Sequence, residues 1–273
     1  MSVKAGSGIN FMSDKIIDMQ AWLATSPGRY LLAWEQAQLN LAVADIFGFH
    51  ALQLGLPGLD ALGANRMPHR WLATDIPLSN ASIVTDFSAL PFPASSLDLV
   101  VLPHSLELSR DPHTTLREVE RVLVPEGRVV ICGLNPVSLW GLRQRRTQLY
   151  HRLGCGQLFL PQGGFIGYWR LRDWLRLLGF EVTVGHFGCY KPSFSNEKWL
   201  QRLDWMDRAG SRWWPILGAA YFLVAVKRVR SMTLLSPGWK APKVLAAVPV
   251  SVVNSTTLNR ADAQQKKNQR NLD

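Results

Sequence analysis

The sequence predicts an α/β fold built on a doubly wound, parallel sheet, and two patterns predict it. Short apolar runs, several rich in β-branched residues, recur at 49–57, 71–75, 82–86, 97–103 and 127–134. Helical stretches interleave with them, the arrangement of strands joined by crossovers in a parallel sheet. Between the last two runs, residues 111–123 carry a full helix signature. Asp111 is a candidate N-cap and Pro112 a favoured first residue. Leu116, Val119 and Leu123 form an apolar stripe, with Arg117, Glu118, Glu120 and Arg121 on the other faces.

The remaining elements follow in chain order. Residues 1–13 are small and polar and read as a flexible terminus. Residues 14–47 read as a helical cap in two pieces, divided at Pro27–Gly28. FHALQLGLP (49–57) is a buried strand running into a turn, and WLATD (71–75) and SIVTD (82–86) follow closely. LDLVVLP (97–103) and GRVVICGL (127–134) complete a core over 48–134. Residues 135–170 read as irregular, first basic (Arg143, Arg145, Arg146, Arg152) and then glycine-rich. Over 171–188 the pattern is helix, a stop at Gly179, then strand. Residues 190–215 read as an extended connection to a last strand, YFLVAVKRV (221–229). From 231 to 273 no pattern is sustained, so a basic, disordered tail is expected.

Composition narrows the function classes. At 47% hydrophobic residues, a chain of 273 can bury a sizeable core. The eleven tryptophans read mainly as core and cap packing. The net charge of +10 suggests nucleic acid at first sight, but it is unevenly placed. From Lys227 onward there are nine Lys/Arg and two acids, so the body is nearly balanced and a nucleic-acid reading rests on the tail. Cys132, Cys155 and Cys189 lack metal-ligand spacing and read as reduced thiols of a cytoplasmic protein. No signal peptide is evident. The most apolar run, 213–226, has 14 residues and holds Pro215, too short for a membrane span, although it leaves contact with a membrane surface open.

The most informative stretch is 83–107, IVTDFSALPFPASSLDLVVLPHSLE. A strand ends in an acid, Asp86, and a loop closes on Leu90, Pro91 and Phe92. A second strand opens on Asp98 and ends in a polar mouth at Pro103–His104; a helix then runs into RVLVPEGRVVI. This order of parts resembles the middle of class I S-adenosylmethionine-dependent methyltransferases, in the group of ubiquinone- and biotin-pathway type enzymes. The resemblance covers residues 48–134 and, more loosely, 170–229. It implies a Rossmann-like seven-stranded sheet with its last strand antiparallel, S-adenosyl-L-methionine as cofactor and methyl transfer as activity.

The resemblance also implies site residues. The family's acid-x-Gly-x-Gly-x-Gly turn falls on Gln53, Gly55, Pro57 and Leu59, so only Gly55 matches; Gly58 is expected to supply the turn one step out of register. Asp75 follows Gln53 at the spacing of a ribose-binding acid. Only 11 residues separate Asp75 from Asp86, so the helix between those strands must be short or absent. Asp86 is expected to accept from the adenine amino group and Phe87 to pack on that ring; an Asx-turn at Asp86 is the simpler alternative. Asp98 reads as structural. Pro103 and His104 fall where methyl group and acceptor would meet, which makes His104 a site wall, a cap or a general base, and Glu107 a similar candidate one turn on.

Methyl transfer from a sulfonium is an in-line displacement that needs positioning more than a base. A small-molecule acceptor is therefore expected, in a pocket formed by the N-terminal helices, 135–170 and 190–215. Tyr30, Tyr168, Trp169 and Arg170 are its candidate lining residues, and their aromatic content suggests a hydrophobic or planar acceptor. Two alternatives stand beside this. One is a non-catalytic interaction protein on a degenerate fold, favoured by the altered glycine turn. The other is an RNA methyltransferase binding phosphate through 143–152 and the tail. The sequence leaves the oligomeric state open.

Overall fold

Seven strands form one sheet in the order β3-β2-β1-β4-β5-β7-β6. The computed structural model describes residues 18–152, 164–193 and 202–228. The expected flexible terminus, Cys155 and the tail from 231 lie outside the described residues.

Residues 18–23 are helical and lead into helix α1, Ser26–Ala44. Thr25 caps α1 by accepting from the Gly28 amide at 3.4 Å, and Pro27 sits in its first turn. The break thus falls just before Pro27–Gly28. Strands β1 (His50–Leu54), β2 (His69–Thr74), β3 (Ile83–Val84) and β4 (Leu97–Pro103) follow. Next come a one-turn helix α2 (Ser105–Leu108), α3 (Pro112–Val122) and β5 (Leu123–Leu134). After α4 (Leu139–Arg152) come α5 (Tyr168–Leu177), β6 (Phe180–Gly188), α6 (Asp204–Trp213), a short 3-10 turn at Pro215–Leu217 and β7 (Ala220–Lys227).

Strands β1 to β5 pair in parallel, and β7 lies antiparallel between β5 and β6. The sheet is covered on both faces, as a parallel sheet must be. Alternate residues of the central strands choose the face. Leu52, Val100, Leu102, Val129 and Ile131 meet the stripe of α3 and Leu171 and Leu175 of α5. Ala51, Leu99, Val101 and Val130 meet Leu39 and Val43 of α1.

Two segments expected to be irregular or extended are helical: α4 within 135–170, and α6 within 190–215. Of the two, α4 lacks a clear sequence signature. Helix α4 begins without a proline or an acid, and Ser138, which accepts from the Gly141 amide at 3.1 Å, is its only marker. Helix α6 carries a stripe that was passed over: Trp205, Met206, Ala209 and Trp213 share one face, and Asp204 and Asp207 stand in its first turn.

The first two crossovers contain no helix. Residues 55–68 form turns between β1 and β2, and residues 75–82 form a loop between β2 and β3. The short Asp75–Asp86 spacing is met by omitting that helix. Turn residues Leu59, Ala61, Leu62 and Met67 cover the face a helix would otherwise cover.

Asp98 has the structural role expected. Its Oδ2 accepts from the amides of Phe49 at 2.8 Å and His50 at 2.9 Å, tying the start of β1 to β4. Asp98→Ala is expected to lower unfolding free energy by about 1–3 kcal/mol, read in urea denaturation with an unchanged slope. Cofactor affinity should not change, because the bond lies at the sheet edge opposite the site.

Candidate active site

The strand order reverses between β1 and β4, and ligands of open α/β sheets bind outside the carboxyl ends of such neighbours. Here those ends are Leu54–Gly55–Leu56 and Pro103–His104–Ser105. Three residues around this crevice adopt left-handed backbone: Gly55 at φ 73°, Leu56 at φ 40° and His104 at φ 54°. For leucine this conformation is strained, and such strain persists only where the surroundings enforce it.

Gln53 does the enforcing. Its buried side-chain amide donates toward the carbonyls of Gly55 (3.3 Å), Leu56 (3.0 Å) and Leu59 (2.7 Å). Its carbonyl oxygen accepts from the Ala61 amide at 3.1 Å. Gln53 was expected at the cofactor; its polar atoms are instead committed to the turn. Gly58 stands in a turn, closed by the Leu59 amide donating to the Leu56 carbonyl at 3.2 Å, but it is exposed and lacks left-handed backbone; that conformation falls on Gly55 and Leu56.

Gly55 remains the point of close approach. A Cβ there would lie 3.2 Å from the Ser105 hydroxyl and 3.6 Å from the Phe87 ring. Phe87 is buried beneath the turn, and Ser105 donates to the Leu54 carbonyl across the crevice. Sequence reasoning missed Ser105; its only signal is its place directly after His104.

Asp75 and Asp86 stand at the carboxyl ends of β2 and β3. Asp86 is exposed, and its Oδ1 accepts from the Ser88 amide at 2.9 Å in an Asx-turn. Both oxygens of Asp75 are buried without a well-formed hydrogen bond; the backbone amides of Asp75 and Ile76 approach the carboxyl and offset its burial only in part. Burial pushes the Asp75 carboxyl above its ordinary range, and the negative charge of Asp86 adds to the rise. The Leu90–Pro91–Phe92 loop is pinned from α3. Glu118 accepts from the Leu90 amide at 3.1 Å, and Arg121 donates to the carbonyls of Leu90 (3.1 Å) and Phe92 (2.9 Å). These two residues had been read only as outer-face charges.

His104 is buried between two carboxylates. Its Nδ1 lies 2.9 Å from Glu107 and its Nε2 2.8 Å from Glu35 of α1. Burial alone would push the imidazole down, but the charges and hydrogen bonds of Glu35 and Glu107 raise it to about 10. A ring that is already protonated, with both nitrogens engaged, has no lone pair for an acceptor's proton. The geometry therefore leaves no room for a general-base role. Glu107 is shielded too: its second oxygen accepts from the Leu134 amide at 2.6 Å. Glu35, the third member, was not foreseen; an acid inside the apolar pattern of α1 was its signal. Pro103 is buried as the last residue of β4.

Known proteins place this arrangement. The Methyltransf_11 family, a methyltransferase domain, matches residues 64–131. YafS of Escherichia coli K12 is 30% identical over 226 residues, covering 78% of this chain and 83% of that one. An S-adenosylmethionine-dependent methyltransferase structure from Thermotoga maritima superposes with a TM-score of 0.54, at 14% identity, over 80% of this chain and 99% of that one. The chain is a class I S-adenosylmethionine-dependent methyltransferase, of the same family as YafS. Malonyl-[acyl-carrier protein] O-methyltransferase of Halorhodospira halophila is 39% identical over 61 residues, only 22% of this chain and 21% of that one.

Above the crevice of this methyltransferase lies a cap of aromatic residues. Trp140 of α4 meets Trp22 edge-on at 5.8 Å and Tyr30 at 6.4 Å, and Leu56 and Leu108 join the same cluster. Of the expected lining residues, Tyr30 sits in this cap and donates to Asp207 of α6. Lys191 stacks on its ring at 4.6 Å. Tyr168 packs instead on the other face against Phe187 and Tyr221. Trp169 is exposed, and Arg170 lies over Trp174 at 5.8 Å, so neither joins the cap. Cys132 and Cys189 are free, buried thiols.

Two tests follow. Restoring the family's acid with Gln53→Glu should destabilise the protein by more than about 2 kcal/mol, because a carboxylate has no hydrogen to offer three carbonyls; thermal unfolding measures it. His104 has a folded-state pKa raised above the unfolded value near 6.5. Its contribution is therefore fully present below about pH 6.5 and lost as pH rises through about 10. Melting temperature should fall along that alkaline limb. In His104→Ala the fall should flatten, on a protein less stable at neutral pH by about 3–5 kcal/mol.

Proposed function

We propose that this methyltransferase acts on a small, largely apolar or planar acceptor, with Asp75 as the chief anchor of the cofactor's ribose. The observation that carries the site assignment is the Asp75 carboxylate. Two buried oxygens without a well-formed hydrogen bond are costly in a folded protein. A vicinal diol would supply a donor for each. S-adenosylmethionine carries such a diol, and Asp75 stands at the strand end where a ribose is met.

The other expected contacts divide in this reading. Gly55 lets the ligand approach the strand end closely. Asp86 has its exposed carboxylate available for the adenine amino group while Oδ1 keeps the Asx-turn. Phe87 supports Gly55 from below, and Gln53 acts by fixing the turn. The bound cofactor supplies the methyl group on a sulfonium that leaves as a neutral thioether. The chain's part is to hold the acceptor in line and keep water out. Trp22, Tyr30 and Trp140 over the crevice provide an apolar, close-packed wall for that task. The match to the Halorhodospira enzyme spans only 61 residues, so it says nothing of the acceptor.

Asp75→Asn tests the ribose assignment with two readouts of opposite sign. A carboxyl whose folded-state pKa is raised binds its proton more readily in the folded chain, so stability falls as pH rises through that window. Removing the charge should therefore raise the melting temperature at neutral pH. The same variant should weaken S-adenosylmethionine binding about 10-fold to 100-fold in calorimetric titration, the worth of charge-assisted hydrogen bonds. Unchanged affinity would remove Asp75 from the site.

A further inference from the structure

We infer that the rim of the catalytic edge is a docking surface for an anionic lipid bilayer. Its centre is a shallow groove of about 200 Å³ lined by Pro136, Val137, Leu139, Leu142, Arg145 and Leu217. The groove joins the start of α4 to the 3-10 turn before β7. Asn135 fixes that junction, donating to the carbonyls of Ile216 at 2.7 Å and Gly218 at 2.9 Å. From Leu217 the apolar surface continues back through Ile216, Trp214 and Trp213, all exposed, Trp213 by 72%. Along α4 it continues to Leu149, which is 59% exposed. Leu139, Leu142 and Leu149 fall on one face of the helix, with Arg145 and Arg146 flanking them. A contiguous apolar patch of this kind on a monomer marks an interaction site.

Charge and side-chain chemistry select the occupant. The segments 136–152 and 208–217 hold six arginines and no acid. A second copy of this chain, docked symmetrically, would set this basic field against itself. The segment 231–273, with six Lys/Arg and two acids, would be repelled as well. The partner must therefore be acidic. It must also accept leucine, isoleucine, valine and tryptophan together. Phosphate backbones offer nothing to an aliphatic stripe, whereas an anionic bilayer offers both charged headgroups and acyl chains. Tryptophan and arginine beside aliphatic residues is the composition of interfacial anchors. The described helices include none long and apolar enough to cross a membrane, so the contact would lie at the surface. The rim also adjoins the carboxyl end of β5, the same edge as the crevice. Docking there would turn the methyl-transfer site toward the bilayer, and an acceptor dissolved in lipid would need only to cross this rim.

Flotation of the full chain with phosphatidylcholine vesicles, with and without phosphatidylglycerol, tests the inference. Wild-type protein should float with the anionic vesicles, less so at high salt, and only weakly with pure phosphatidylcholine. The surface variant Leu142→Ser/Arg145→Glu/Arg146→Glu/Trp213→Ala should lose about 10-fold or more of that binding. Its melting temperature and S-adenosylmethionine affinity should stay unchanged, so failure here is separable from failure of the Asp75 assignment. Lys266→Gln/Lys267→Gln in the tail should have little effect. No flotation of wild-type protein overturns the inference. So does flotation that survives the surface variant but is lost with the tail variant. If the surface variant abolishes binding to a single-stranded RNA while vesicles are ignored, the patch is a nucleic-acid site instead. If it dissolves a dimer, the patch is a self-contact.

Discussion

The buried Glu35–His104–Glu107 link is the constraint on which the catalytic edge depends. It ties three elements that sequence alone leaves separate: α1 through Glu35, the end of β4 through His104, and the end of β5 through Glu107 and the Leu134 amide. Two carboxylates and an imidazolium are expensive to bury, and they repay that cost only when each member is paired. Here each ring nitrogen has its partner and each glutamate places one oxygen on the ring, while Glu35 Oε2 is buried without a partner. Deleting one member would leave an uncompensated charge inside the fold. The link therefore behaves as an all-or-none latch that holds α1 across the carboxyl ends of the strands. The aromatic cap of Trp22, Tyr30 and Trp140 can form only once α1 is there. It also explains why His104 accepts a left-handed backbone: only that geometry directs both ring nitrogens to acids on different elements.

A second substitution of function runs through the glycine turn. Here no helix follows β1, and the turn is imposed from inside by one amide side chain. An acid at Gln53 could not do this, since it cannot donate to carbonyls. The inward-turned amide of Gln53 and the helix-free crossover after β1 thus belong to one local arrangement. The turn residues Leu59, Ala61 and Leu62, packed on the sheet, are its other half.

The sheet was legible because its strands are short apolar runs with clear stops. The run at 97–103 matches β4, and 127–134 lies within β5 at the same carboxyl end. Helix α3 was legible from Asp111 and Pro112, and Asp111 does cap it, accepting from His113 at 3.0 Å and Thr114 at 3.2 Å. Helix α4 was not legible because its exposed face mixes leucine and arginine and no period emerges; α6 has a stripe at Trp205, Ala209 and Trp213 that was passed over among the surrounding tryptophans. Positions at strand ends were legible where they follow the chain: Gly55, Asp75, Asp86 and His104 all stand at the carboxyl side of their strands. Site residues were not legible where the third dimension decides. Glu35 lies 69 positions from His104 in sequence and 2.8 Å from it in space. Gln53, read as a ligand contact from its place in a motif, turned inward because three carbonyls there needed a donor.

The poorly satisfied Asp75 and the satisfied His104 show how differently two buried ionisable groups can behave in one site. His104 is ordered by its neighbours and loses by any change. Asp75 carries an unmet demand for donors, made worse by Asp86. Folding alone would favour removing that charge. The demand is tolerable only if a ligand meets it, since a ligand that binds the folded chain stabilises it by mass action. Under the proposed assignment, the poorly satisfied Asp75 carboxylate is the group at the carboxyl edge that a ribose diol would relieve.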